Sequence, residues 1–100
     1  MEINITNNGN VFDVVLTGRV DTTNADDFQQ QLMKVADNDK VEVTIDCSGL
    51  DYTSSQGLRV FLMLQKAISA RGGKLTLSKM QPQVKEVFDI TGFSSIIKII

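Results

Sequence analysis

Three short strand-like runs, VEVTID at 41–46, KLTLS at 74–78 and IIKII at 96–100, are separated by stretches of helical periodicity. This alternation restricts the chain more than any other feature. Strands joined through a helix lie parallel in one sheet, linked by right-handed crossovers. The longest helical stretch is 55–70, where Leu58, Phe61, Leu62, Gln65 and Ile68 define one face. Val60, Met63, Leu64 and Ala67 make its other sides apolar as well, so the helix is either buried on most sides or offers a surface to a partner. Val60 and Leu64 are expected to pack inward, leaving Met63 for partner contact. Gly72-Gly73 ends this helix, and Pro82 suits the first turn of a shorter one that faces Val84, Val87 and Phe88 inward and stops at Gly92.

Upstream, residues 2–6 and 11–17 flank Asn7-Asn8-Gly9-Asn10 and read as an antiparallel hairpin. Thr22, Thr23 or Asn24 can cap the next helix, Asp26 and Asp27 favour its positive end, and Ala25, Phe28, Leu32 and Val35 form its buried stripe. The order is β-β-α-β-α-β-α-β: one α/β domain over 1–100, with a mixed, mostly parallel sheet and the hairpin as an antiparallel edge. One hundred residues suffice for one core.

Composition removes several functions. The chain has no histidine and one cysteine, so neither a Ser-His-Asp triad nor a Cys/His metal cluster can be assembled, and no metal or cofactor is expected. Cys47 reads as a small packing residue, and Met33, Met63 and Met80 as gap fillers in or near the core. No apolar run reaches the roughly 20 residues of a membrane span, and MEINITNNGN lacks the regions of a signal peptide, which predicts a cytoplasmic protein away from the membrane. Residues 1–51 carry ten acids against Arg19, Lys34 and Lys40, while residues 52–100 carry Glu86 and Asp89 against seven bases. The net charge of −2 does not suit direct nucleic-acid binding. Gly72-Gly73 has no phosphate-loop pattern around it and is assigned to a turn.

Thr53, Ser54 and Ser55 stand where a strand hands over to the long helix, whose first N–H groups have no partner inside the helix. The bland reading makes Ser54 or Ser55 an N-cap, which contributes about 1 kcal/mol. The functional reading makes one hydroxyl a phosphoacceptor, whose added charge a helix N-terminus tolerates.

The segment from Val43 to Ile99 resembles the STAS domain of bacterial anti-sigma factor antagonists. The matching marks are Asp-x-Ser-x-Leu-x-x-x-x-Ser-x-Gly-Leu over Asp46–Leu58, the Gly-Gly strand start, Pro82 with Val84, Phe88, and Thr91-Gly92-Phe93. Leu16-Thr17-Gly18-Arg19-Val20-Asp21 is similar to the family's segment after the second strand. The resemblance implies that Ser55, two residues before Gly57, is the phosphorylated residue. An acidic residue commonly precedes that serine in the family, and Ser54 stands there in this chain. The implied partner-facing surface contains Asp21, Thr53, Ser54, Gln56 and Gly57; the bland reading of Asp21 is a turn or capping aspartate.

What the resemblance implies is a non-enzymatic, partner-switching regulator. The unmodified chain binds an anti-sigma factor serine kinase and so displaces the sigma factor; phosphorylation of Ser55 releases it, and a serine phosphatase of the metal-dependent class resets it. The alternative is a non-phosphorylated STAS subunit of another assembly, such as a transporter accessory protein. A hydrolase using Ser54 or Ser55 is disfavoured by the missing histidine. The family usually carries a helix after the last strand, whereas this sequence stops at Ile100: either that helix is absent or the sequence is truncated, and without it greater exposure of the sheet or long helix favours a homodimer.

Overall fold

The computed structural model describes residues 1–100 as β1 (Glu2–Asn8), β2 (Val11–Val20), α1 (Ala25–Ala36), β3 (Glu42–Thr53), α2 (Ser55–Ala70), β4 (Lys74–Ser78), α3 (Pro82–Ile90), a 3₁₀ turn (Phe93–Ser95) and β5 (Lys98–Ile99). The sheet keeps this order, β1-β2-β3-β4-β5. β1 and β2 pair antiparallel, with Asn8 opposite Val11, and the remaining neighbours pair parallel. When strands are added in one direction, right-handed crossovers place every connecting helix on the same face. The opposite face stays open, with Val11, Asp13, Val15 and Thr17 of β2 exposed along it.

The core lies between the sheet and the helices. Val14, Leu16, Val43, Ile45, Leu75 and Leu77 point up from the strands. Above them Phe28, Phe61, Phe88 and Phe93 meet edge to face in a row, with successive ring centroids 5.2, 5.4 and 6.5 Å apart. The row crosses α1, α2, α3 and the 3₁₀ turn, and each such pair is worth about 0.5–1.5 kcal/mol beyond its buried area. Cys47 is fully buried, and burial pushes its thiol up to about 12, so it remains a neutral packing group. Met33 and Met80 pack against this core, while Met63 is half-buried.

Four details differ from the sequence reading. β3 runs to Thr53 rather than stopping at Asp46, because it carries two extra residues against β2: Val15 pairs with Asp46 but Thr17 with Gly49, and Gly18 pairs with Leu50 but Arg19 with Tyr52. These bulges space its inward residues Cys47, Leu50 and Thr53 three apart, which hides the strand alternation. β2 continues to Val20 beside it. β5 keeps only Lys98–Ile99, since Phe93–Ser95 coils as a 3₁₀ turn and Ile97 alone of that stretch is buried. Finally, the buried stripe of α2 is Leu58, Val60, Phe61, Leu64 and Ile68; Leu62 and Gln65 fall at its border, half-buried. Val60 and Leu64 pack inward as expected.

Candidate functional site

The C-terminal ends of two adjacent parallel strands, β2 and β3, release their loops side by side, a position where open α/β sheets place binding sites. Val20 pairs with Thr53, and the Ser54 N–H donates to the Val20 carbonyl at 2.8 Å. Asp21 and Ser54 are thereby held next to each other.

Ser54 is the N-cap of α2. Its backbone is extended (φ −81°, ψ 174°), and its Oγ accepts from the Gly57 N–H at 3.2 Å. Ser55, the first helical residue, is exposed, and its hydroxyl donates only to Gln56 Oε1, at 3.3 Å. No carboxylate or other base touches it, so it has no means of its own to become a nucleophile. It can serve as an accessible alcohol for another protein's chemistry.

Thr53 and Gly57, expected on the partner-facing surface, are buried beneath it. A Cβ on Gly57 would overlap Thr53 Oγ1 and lie 2.8 Å from Val20 Cγ1. The absent side chain lets α2 descend onto the ends of β2 and β3, and that descent brings the helix start to Asp21. Gln56 is exposed beside Ser55, and Asp21 is partly exposed. Met63 is two turns along α2; at about 100° per residue it lies about 80° around the helix from Ser55, within the same broad outer face.

Asp21 is tightly organised. Its Oδ1 accepts from the Thr23 N–H at 2.9 Å and from the Thr23 hydroxyl, and its Oδ2 meets Arg19 Nε at 3.1 Å. The Thr23 hydroxyl, then the Thr23 N–H, and to a smaller degree Arg19 hold the carboxyl below its ordinary value. The Asp21 carbonyl accepts from the Ala25 N–H at 3.0 Å, which starts α1. Asn24 occupies the cap position of α1 but does not cap it. Instead, its Oδ1 accepts from the Asp21 N–H at 2.9 Å and its Nδ2 donates to the Arg19 carbonyl at 2.9 Å, lacing the loop shut.

Three further residues join the surface. Arg19 lies over the Tyr52 ring, 4.6 Å from its centroid, a cation–π contact that fixes the guanidinium beside Asp21. Arg59 is exposed one turn beyond Ser55 and forms no salt bridge. Sequence reasoning missed all three of Arg19, Tyr52 and Arg59. The i, i+4 spacing of Ser55 and Arg59 was available as a signal; the Arg19–Tyr52 pairing depends on the bulges in β3 and was not.

Comparison with known proteins bears on the family and the fold. The STAS domain family model matches residues 2–100. A protein of Bordetella bronchiseptica described as an anti-sigma factor antagonist, BtrV, is 41% identical over 81 residues, 81% of this chain and 70% of that protein. The anti-sigma-B factor antagonist of Bacillus subtilis is 28% identical over 99 residues, 99% of this chain and 90% of that one. Among solved structures, the anti-sigma factor antagonist SpoIIAA in its unphosphorylated form superimposes with a TM-score of 0.83 at 16% identity, covering 99% of this chain and 88% of that one. The phosphorylated form of the Bacillus cell fate determinant SpoIIAA gives 0.76 at 15% identity, over 99% and 91%.

Proposed function

The chain belongs to the STAS domain family and is a regulatory binding protein rather than an enzyme, and from that premise we propose that it is an anti-sigma factor antagonist working by partner switching. Unmodified, it binds an anti-sigma factor serine kinase through the surface around Asp21, Ser54, Ser55, Gln56 and Met63, and the sigma factor is set free. The kinase phosphorylates Ser55 and the chain is released; a metal-dependent serine phosphatase restores it. The observation that carries this reading is the division between two neighbouring hydroxyls. Ser54 Oγ is occupied by the Gly57 N–H, while Ser55 Oγ is exposed and held only by a glutamine amide.

The switch needs no change of fold. A phosphate brings a charge of about −1.5 to −2 into the contact surface, where it adds repulsion and a desolvation cost. Asp21 already keeps a negative charge beside the cap. Affinity capture of the chain from its source cells tests the reading, followed by incubation of the purified partner with ATP and mapping by mass spectrometry. The expected outcome is a serine kinase partner, one added phosphate on Ser55, none on Ser55→Ala, and loss of the complex after transfer. Phosphate on Ser54 moves the acceptor by one residue. Capture of a membrane transporter component with no phosphate transfer replaces this reading with the accessory-subunit one.

A further inference from the structure

Beside the C-terminal half of α2, against the edge formed by β4 and β5, lie two adjoining hollows of about 400 and 300 Å³ that share Gln65, Ser69 and Ile96. Lys66 lines one, Lys74 and Lys98 line the other, and no acidic residue lines either. Arg19, Arg71, Lys79 and Lys85 each meet a carboxylate, whereas these three lysines meet none. They concentrate unneutralised positive charge in a chain whose net charge is −2.

The backbone here is also incomplete. β5 pairs with β4 only at Thr76 and Leu77. The Lys74 N–H donates to the Val41 carbonyl on the β3 side, and the Leu77 carbonyl accepts from the Ile100 N–H on the β5 side. Alternation along the strand turns the Leu75 N–H toward the β5 side, before the pairing with β5 begins. This leaves a notch in the sheet edge with a backbone donor facing into it. Beside the notch, Gln65 Oε1 is buried and has no donor, an unfavourable state that a visiting N–H would relieve. Ile96, half exposed, supplies an apolar foothold.

We infer that this notch receives an acidic, extended segment of a partner protein that adds to the β4 edge. One of its carbonyls takes the Leu75 N–H, its carboxylates meet Lys66, Lys74 and Lys98, and one of its N–H groups reaches Gln65. Charge complementarity selects an acidic occupant, and the open strand edge selects an extended one. Gln65 stands ten residues beyond Ser55, about 15 Å along α2, so this surface is separate from the phosphorylation face.

The test is a fluorescent peptide of about eight alternating Glu and Val residues, within the usual length of a strand, titrated into the ¹⁵N-labelled full chain. A Lys/Val peptide of equal length and a short DNA duplex serve as controls. The expected result is saturable shifts at the Leu75, Thr76 and Lys98 amides with the acidic peptide alone. Lys74→Glu with Lys98→Glu should weaken binding about tenfold or more, Gln65→Leu should weaken it with no loss of thermal stability, and Ser55→Ala should leave it unchanged. Lysine shifts without a Leu75 shift would reduce the site to surface electrostatics and overturn strand addition. Equal binding of DNA, perturbation elsewhere, or a Leu75 response that grows with protein concentration without peptide also overturns it, the last in favour of self-association.

Discussion

Ser54 and Ser55 are chemically alike and one peptide bond apart, yet they do opposite things. The cap geometry turns Ser54 inward onto the Gly57 N–H and leaves Ser55 outside. Ser54→Ala should therefore lower stability by about 0.5–2 kcal/mol, as cap removals do. Ser55→Ala should stay within about 0.5 kcal/mol of the parent in the same urea titration. Gly57→Ala gives a sign test. At an open helix position, alanine gains about 0.5–1 kcal/mol over glycine, but here its Cβ meets Thr53 and Val20, and overpacking costs about 1–3 kcal/mol. A loss of stability supports the close descent of α2 onto the strand ends; a gain contradicts it. The hydroxyl cluster was visible in the sequence as a strand-to-helix handover. Which serine caps and which stays free was not, because that depends on β3 ending at Thr53, and no spacing pattern announces that end.

Helix α2 was readable as the longest helix, from its apolar positions and Gly72-Gly73, but not the exact turn of its faces. A helix apolar on several sides leaves the rotation to its neighbours, and here Phe28 and Phe88 on either side of Phe61 set it. Leu64 points into that core and Met63 to its margin. Leu64→Ala should cost about 2–5 kcal/mol, while Met63→Lys should change stability little and weaken capture of the kinase partner. A large stability loss for Met63→Lys would put that residue in the core. β3 teaches the complementary lesson. Its first half alternates cleanly and was legible; its second half carries two bulges, and a strand whose inward residues fall three apart resembles a loop. Those same bulges set Arg19 opposite Tyr52, so the part of the site that went unread lies where the strand departs from a period of two.

At the scale of the whole molecule, three carboxyls brace local turns at separate places in the fold in their charged form. Asp21 is held low by Thr23, Asp46 by the Ser48 N–H, and Asp89 by the Ser94 hydroxyl, all below the ordinary 3.8. A lowered folded-state value means that the unfolded chain binds protons first. The contribution is fully present above pH 3.8 and is lost as pH falls through the lowered values. The thermal midpoint should be flat from neutrality to about pH 5 and fall below about pH 4, with Asp46→Asn blunting the fall. A midpoint that holds to far lower pH would show that these carboxyls contribute nothing. The one-directional strand order has a consequence for how the chain comes into being. Each strand docks on the one made just before it, so the sheet can grow by accretion as the chain leaves the ribosome, the hairpin serving as the first template. The loops bearing Asp21 and Ser55 meet as soon as α2 has emerged, while β4 still waits for a neighbour. When β5 docks it covers β4 at two positions only, Thr76 and Leu77, so the last neighbour to arrive closes the least of the sheet.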